Sequence, residues 1–530
     1  MKGLIDVMES KSGKLLSRVF HLCWFLLFSI LFMDTLRVNR HYTRAIVCGV
    51  AAFAVVAYLY PYCKNLAGKW EERRMTATAV VLLAVQFVLL LIAGRYLCSQ
   101  PFNDAGTVYY SAVEILQTGT VGKEINEYTS CAWATGTSNN EYFIINEVVL
   151  FMVAYILPYL ELIVHVLGID PYTNAAYYAM IVLNCISITA ATAVGYAVVK
   201  RTRAGSGGGL LFLVLSLLFA PNYLNTYKVY SDTLSMPYIM LAFLFLLLGN
   251  QGGGRNKWVY QILTGIMLAI GYLIKGSVIV LLVAMGVYLL LEKSFQDGQW
   301  KKTAMSVVCL FSAFAMVLMA WGSFQARCPW IDRSQQERYE LPAFHWIMMA
   351  ASGDGGYSKS DFDYSLSFED PEERQEAIIN RYIEKVRSYG SAVGYVDFIR
   401  SKLAVSLADG RYYQQVHMNQ TFNKEWRVGR FVNQDGEYYE LLMQYLKAYT
   451  YMLYAGCLVS ALIDVMKGRV DTAFCINLCF FGLILFFSFW EFKSRYLMNY
   501  TPMFIMGFVL TMNDLRRILD NRRKRYICRT

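Results

Sequence analysis

Residues 75–98, MTATAVVLLAVQFVLLLIAGRYLC, run directly into SQPFNDAGTVYYS at 99–111. A helix needs about 20 apolar residues to cross ~30 Å of hydrocarbon, and the first stretch supplies them. Asp104 therefore falls where a membrane helix leaves the bilayer, on a loop rich in aromatic and small polar residues. A carboxylate at that point has two explanations. It caps the next helix, since Asp is a favoured N-cap, or it is the base of an enzyme acting on a lipid-borne substrate at the membrane face.

Composition sets the fold class. Apolar residues make up 56% of the 530 and charged residues 17%, whereas soluble domains average about 45–50% and about 25%. With a mean hydropathy of +0.35, the chain reads as an all-α polytopic membrane protein. Its net charge of +10 is no nucleic-acid signal. Much of it lies in short loops and in RRILDNRRKR (516–525), which reads as positive-inside anchoring to an anionic leaflet. The first apolar run follows a basic start and lacks a small-residue cleavage site, as expected of a signal anchor.

Further apolar runs lie near 15–34, 43–62, 143–167, 174–199, 208–221, 233–249, 258–274, 276–292, 303–324, 448–466, 471–490 and 496–513. Lys and Arg in 64–74, 200–203, 255–257, 293–302, 467–469 and the tail mark the cytoplasmic side. Alternation then places 99–142, 222–232, Lys275, 325–447 and 491–495 together on the outer face. Parity requires an odd number of crossings between 99–142 and Lys200, yet two runs intervene. The 143–167 run, interrupted by Pro158 and Glu161, is therefore expected along the interface or re-entering, leaving about 12 crossings (11–13). The chain divides into an N-terminal module (1–324) with outer loop 99–142, an outer segment (325–447), C-terminal helices (448–513) and a basic tail (514–530). Within the outer segment, 371–388 has a proline and acids at its start, basic residues at its end and helical apolar spacing. Gly353–Gly356 and Asn433–Gly436 read as turns.

Ionisable residues beside apolar sequence are costly and concentrate at functional sites. On the outer face these are Asp104, Glu147, Asp232, Lys275, Arg327, His345, Glu491 and Arg495. Most have a plain structural explanation. Asp232, in Tyr-Ser-Asp-Thr, suits a cap. Lys275, in Leu-Ile-Lys-Gly-Ser, suits a lysine snorkelling to the headgroups. Glu491 and Arg495 stand at helical i,i+4 spacing for an ion pair. His345, like His417, suits packing or hydrogen bonding. Cysteines are scattered without metal spacing; one disulfide among Cys98, Cys131 and Cys328 is left open. No Walker or Rossmann fingerprint implies ATP or a dinucleotide. No cofactor is demanded, although the acids leave a divalent metal open.

Order along the chain is more specific than any single residue. FNDAGTVYYSA (102–112), EYFIINEV (141–148), VYSDTLSMPYIML (229–241), YLIKGSVIV (272–280), LPAFHWIMMAASGDGGY (341–357), FIRSKLAVSLADG (398–410) and WEFKSRYLMNYTP (490–502) form a series. In this order they resemble the bacterial GT-C membrane glycosyltransferases related to the protein O-mannosyltransferase and aminoarabinose-transferase group. The chain departs from that pattern at Asn146-Glu147. The resemblance implies a GT-C-like bundle in the cell membrane that transfers a sugar, with inversion, from a polyprenyl-phosphate donor to a cell-envelope acceptor at the outer face. It implies Asp104 as catalytic base and Asp232 as a second acid. Lys275, Arg495 and Arg327 would hold the donor phosphate, and Tyr109, His345, Glu491 and Tyr496 would position substrate. A transporter or flippase of a lipid-linked saccharide, or a polysaccharide polymerase or ligase, would use the same class of lipid. Transporters often carry internal repeats with ionisable residues at the bilayer midplane. The residues singled out here instead gather at one membrane edge, and no repeat is evident.

Overall fold

The structure, a computed structural model, describes residues 2–126, 129, 136–251, 255–296, 300–412 and 427–527. Glu127, Cys131 and His417 lie outside them. The described chain is helical, with no strand. Ten of its helices are long and apolar enough to cross a membrane, and Gly205–Leu218 and Gly276–Leu291 are shorter apolar helices. The fold is that of an all-α polytopic membrane protein, as composition indicated.

Contacts between helix ends fix the direction of each helix. On one face, Lys200 pairs with Glu72 at 2.9 Å. Ser17 donates to the Arg469 carbonyl, and Lys64 to Asn513. These are the loops read as cytoplasmic from their Lys and Arg. The opposite face carries Asp104. There, Asn39 donates to the Ala408 carbonyl, Lys447 donates to both Asn39 and that carbonyl, and Tyr109 donates to the Pro171 carbonyl.

The apolar segment Glu147–Val166 begins and ends on the Asp104 face. At its start, Glu147 pairs with Arg333 at 2.5 Å. Just past its end, Tyr172 donates to Gln117 of the Asn103–Thr118 helix. Helix Leu150–Glu161 contains Pro158 and passes into a π-turn at Leu162–Val166. A segment that enters and leaves on one face does not cross, whatever its hydropathy. Setting it aside from the ten, and adding the two shorter helices and Thr501–Ile527, gives twelve face-to-face helices among the described residues. They alternate in direction from Lys2–Val38 to the last.

Close packing and ion pairs hold the bundle. Gly94 faces Ile181 so closely that a Cβ would overlap its side chain, which lets Glu72–Leu97 lie against Asn174–Arg201. On the basic face, Arg203 binds Asp514 at 2.6 Å and also Asp471, while Arg469 binds Asp464 at 2.5 Å and Asp514 at 2.7 Å. Buried charges are tolerated only when paired in this way.

The long polar segment forms a brace on the Asp104 face. Its helix Pro371–Ser388 has the predicted bounds, and Asp370 caps it by accepting from the Glu372 and Glu373 amides. Arg374, 1% exposed, donates to the carbonyls of Glu337, Arg338, Glu340, Phe368 and Glu369. A single guanidinium thus fastens two loops to the helix, using its planar fork of donors. Both Gly353 and Gly355 adopt positive φ (+63° and +71°), as turns require. Tyr439–Lys467 begins within the 325–447 segment, and Tyr439, Met443 and Leu446 of its first turns pack on Leu97, Leu224 and Tyr227.

Candidate active site

The FNDAGTVYYS stretch is not a loop. Asn103–Thr118 is a helix that buries Ala105 through Val113, packed against Leu150–Glu161. Its polarity misled the reading because small residues and tyrosines serve here as a packing face. Phe102 occupies the N-cap, so Asp104 lies inside the first turn. Asn103 carries a positive φ of 52°, a conformation that is uncommon outside glycine and to which Asn is among the best suited. That kink turns the chain from the end of Glu72–Leu97 into the new helix and places Asp104 at its positive end, where a carboxylate is favoured.

Two elements meet Asp104, and two more join them through Arg495. Tyr142, from helix Asn139–Ile145, donates to its carboxylate at 3.2 Å. Arg495 Nη2 stands 3.7 Å from Asp104, and its Nη1 stands 4.0 Å from Asp232. Lys275, at the turn before Gly276–Val278, donates to Asp232. The Tyr496 ring carries the Lys275 ammonium at 4.7 Å and the Arg495 guanidinium at 5.1 Å. Its hydroxyl donates to Glu491 at 2.7 Å. Burial pushes the Glu491 carboxyl up, while the Tyr496 hydroxyl and Arg495 oppose the shift.

Exposure separates the roles. Asp104 is 32% exposed, against 6% for Asp232, 11% for Lys275 and 13% for Arg495. Asp232 with Lys275 is a buried pair that shapes the floor, and Asp104 is the carboxylate a ligand can reach. Arg495 lies between the two acids. Its Nε and Nη1 are buried without hydrogen-bond partners, so its charge is balanced at longer range by Asp104 and Asp232.

The structure brings together Asp104, Asp232, Lys275, Glu491, Arg495 and Tyr496. Two of their relationships differ from expectation. Lys275 does not snorkel: it is tied to Asp232. Glu491 and Arg495 do not form an i,i+4 pair, because 490–493 is extended and 494–500 is a 3-10 helix. Tertiary contacts impose that shape. The Phe492 amide donates to the Gly355 carbonyl. Buried Lys402 donates to the carbonyls of Trp490 at 2.8 Å, Ser488 at 3.3 Å and Ala350 at 3.4 Å. Ser494 donates to Asp409 at 2.5 Å.

Other expected residues have different surroundings. His345 is buried in the brace, its Nδ1 sharing a hydrogen bond with Ser365 at 2.8 Å. Burial pulls its pKa down to about 4. Arg327 is exposed just beyond Trp300–Gln325, and Glu147 is held by Arg333. Tyr109 is buried, its hydroxyl spent on Pro171. Cys98 and Cys328 carry free thiols. Among the described residues, no group of three His, Cys, Asp or Glu side chains is arranged to hold a metal ion.

Sequence reasoning passed over Lys228 and Tyr142. Lys228 is 7% exposed and lies 4.9 Å from the centre of the Tyr230 ring. Its signal was present: a lysine in Tyr-Lys-Val-Tyr-Ser-Asp, at the same membrane edge that singled out Lys275. Asn184 fixes its loop by donating to the carbonyls of Asn225, Thr226 and Lys228, each at 3.0 Å.

Residues 33–515 match a family model described as conserved hypothetical integral membrane protein. Among curated proteins, none matches. The match spans nearly the whole chain, from the first helix to the last and including every residue of the cluster, so the chain belongs to that family of integral membrane proteins.

Proposed function

We propose that the chain is an inverting glycosyltransferase of the GT-C type, using a polyprenyl-phosphate sugar at the outer face of the cell membrane. The observation that carries this reading is the position of Arg495, a guanidinium 3.7 Å from the one reachable carboxylate of the cluster, Asp104. Transfer with inversion needs a base within hydrogen-bond reach of the acceptor hydroxyl and a fixed cation where charge develops on the leaving phosphate. Asp104 takes the hydroxyl proton as the acceptor oxygen attacks the anomeric carbon. The bond to the phosphate oxygen breaks on the opposite side, and Arg495 meets the released phosphate. Tyr142 holds the Asp104 carboxylate in orientation. Asp232 with Lys275 keeps Arg495 in place, so both act as positioning residues in this account. Acceptors that fit are a cell-envelope polymer, a glycolipid or a protein.

The test is incubation of the purified chain with a panel of polyprenyl-phosphate sugars and candidate acceptors, followed by mass spectrometry. Glycosylated acceptor together with free polyprenyl phosphate is the expected result. Movement of intact lipid-linked sugar across reconstituted vesicles, without cleavage of the glycosidic bond, would assign a flippase instead.

A further inference from the structure

Helix Thr43–Ala67 is the least enclosed of the ten long apolar helices: 11% of its apolar stretch is buried, against 22–61% for the others. Exposed Arg44, Val47, Ala51, Val55, Tyr58 and Tyr62 follow one another along it, at the three- and four-residue intervals that share a helix face. From Arg44 to Tyr62 the helix rises about 27 Å, close to the ~30 Å of hydrocarbon. Arg44 thus stands at headgroup level on the Asp104 face, with Tyr58 and Tyr62 in the aromatic belt near the other. Arg37 and Arg40 are exposed in the turn before it. Exposed Lys and Arg are expected on the opposite face, so these arginines run against that bias. Arg37 pairs with Asp34, which also holds Arg400. Among the described residues, neither Arg40 nor Arg44 is paired with a carboxylate; Arg40 meets the neighbouring His41 ring at 3.4 Å. Glu440, the acid beside the turn, accepts from Tyr42 at 3.4 Å.

We infer that the turn 37–44 binds an anionic phospholipid of the leaflet on the Asp104 face, its phosphate on Arg40 and Arg44 and an acyl chain along Val47, Ala51 and Val55. A guanidinium suits that partner, because its planar fork matches phosphate oxygens. A soluble anion would use the arginines alone, whereas a lipid also uses the apolar stripe that continues from Arg44 into the hydrocarbon. A second copy of the chain packed symmetrically along the stripe would bring arginine against arginine, which like charges disfavour. The site does not depend on sugar transfer.

The experiment is photocrosslinking of the full chain in vesicles of phosphatidylcholine with about one-fifth phosphatidylglycerol, each lipid in turn carrying an alkyne tag. Benzoylphenylalanine replaces Val47, next to the arginines, or Val283 as a reference. Val283 is also exposed, on Gly276–Leu291, and the lysine at the Asp104-face end of that helix, Lys275, is tied to Asp232. Capture of phosphatidylglycerol relative to phosphatidylcholine should be about fivefold higher at position 47 than at 283, the scale of one arginine engaged at a charged headgroup layer. Arg44→Gln alone should at least halve that enrichment. Arg40→Gln together with Arg44→Gln should erase it, while unchanged capture at 283 shows the variant folded and inserted. Equal ratios at the two positions in the parent chain, or an enrichment that survives the double substitution, would overturn the inference. Crosslinking of position 47 to a second copy of the chain would also overturn it, because the stripe would then be a subunit interface.

Discussion

Replacing Lys275 with methionine removes one half of a buried ion pair and leaves the other half in place. Asp232 is 6% exposed and would keep Arg495 as its nearest cation, 4.0 Å away and shared with Asp104. Breaking a buried pair in this way costs about 3–5 kcal/mol. Because Arg495 compensates in part, the expected cost is at the lower end, about 3 kcal/mol, or roughly two orders of magnitude in the folding equilibrium. The companion variant Lys275→Met with Asp232→Leu removes both charges and should recover all but about 1 kcal/mol, since apolar replacements of whole pairs are often neutral. Equilibrium unfolding in mixed micelles, run as a double-mutant cycle, measures the coupling directly. A Lys275→Met variant as stable as the parent would refute the reasoning, as would a double variant whose loss equals the sum of the two single losses.

Other perturbations separate brace from chemistry. Lys402→Met strips a buried ammonium from three carbonyls and should cost about 2–3 kcal/mol, given about 1.5–3 kcal/mol for a hydrogen bond to a charged group; thermal unfolding in detergent checks it, and an unchanged midpoint would show that Lys402 does not fix the 490–493 segment. Arg495→Lys keeps the charge but loses the fork, so under the proposed function turnover should fall about 100-fold, the scale of losing one stabilising donor; steady-state transfer assays read this. His345, with its pKa lowered to about 4 by burial, stays neutral in the folded brace while the unfolded chain titrates near 6.5. Its contribution is complete above about pH 6.5 and falls away as pH drops toward 4, by about 3 kcal/mol over that window. Hydrogen exchange across 344–349 should show the loss, and His345→Gln should flatten it.

Helix Pro371–Ser388 was legible to its ends because proline, acids, apolar period and bases all lie within the segment itself. So were the spanning runs, whose hydropathy is local. Parity, with Pro158 and Glu161 interrupting the run, pointed to 143–167 not crossing; what holds it to one face is Glu147 meeting Arg333 and Tyr172 meeting Gln117. The 102–111 stretch was misread as a loop because Tyr109 and Tyr110 look interfacial in sequence and are core in the fold. The Glu491–Arg495 geometry was illegible for a different reason. Helical spacing assumes a helix, and the backbone of 490–493 is set by Gly355 and Lys402, far away in the chain. Convergence of Asp104, Asp232, Lys275 and Arg495 on one edge followed from topology. The pairing of Lys275 with Asp232 and the burial of Lys228 required the packed structure.

The most direct test of the central claim is the single-turnover rate of Asp104→Asn against the parent chain, with the sugar donor that the panel identifies and with donor binding measured in parallel. The substitution keeps the side-chain volume and removes the base, at a partly exposed position. The account predicts a fall in rate of about 10²–10⁴-fold, the range of general base catalysis, with donor binding within a fewfold of the parent. A turnover rate close to the parent's would contradict it and return Asp104 to the role of a helix-end carboxylate.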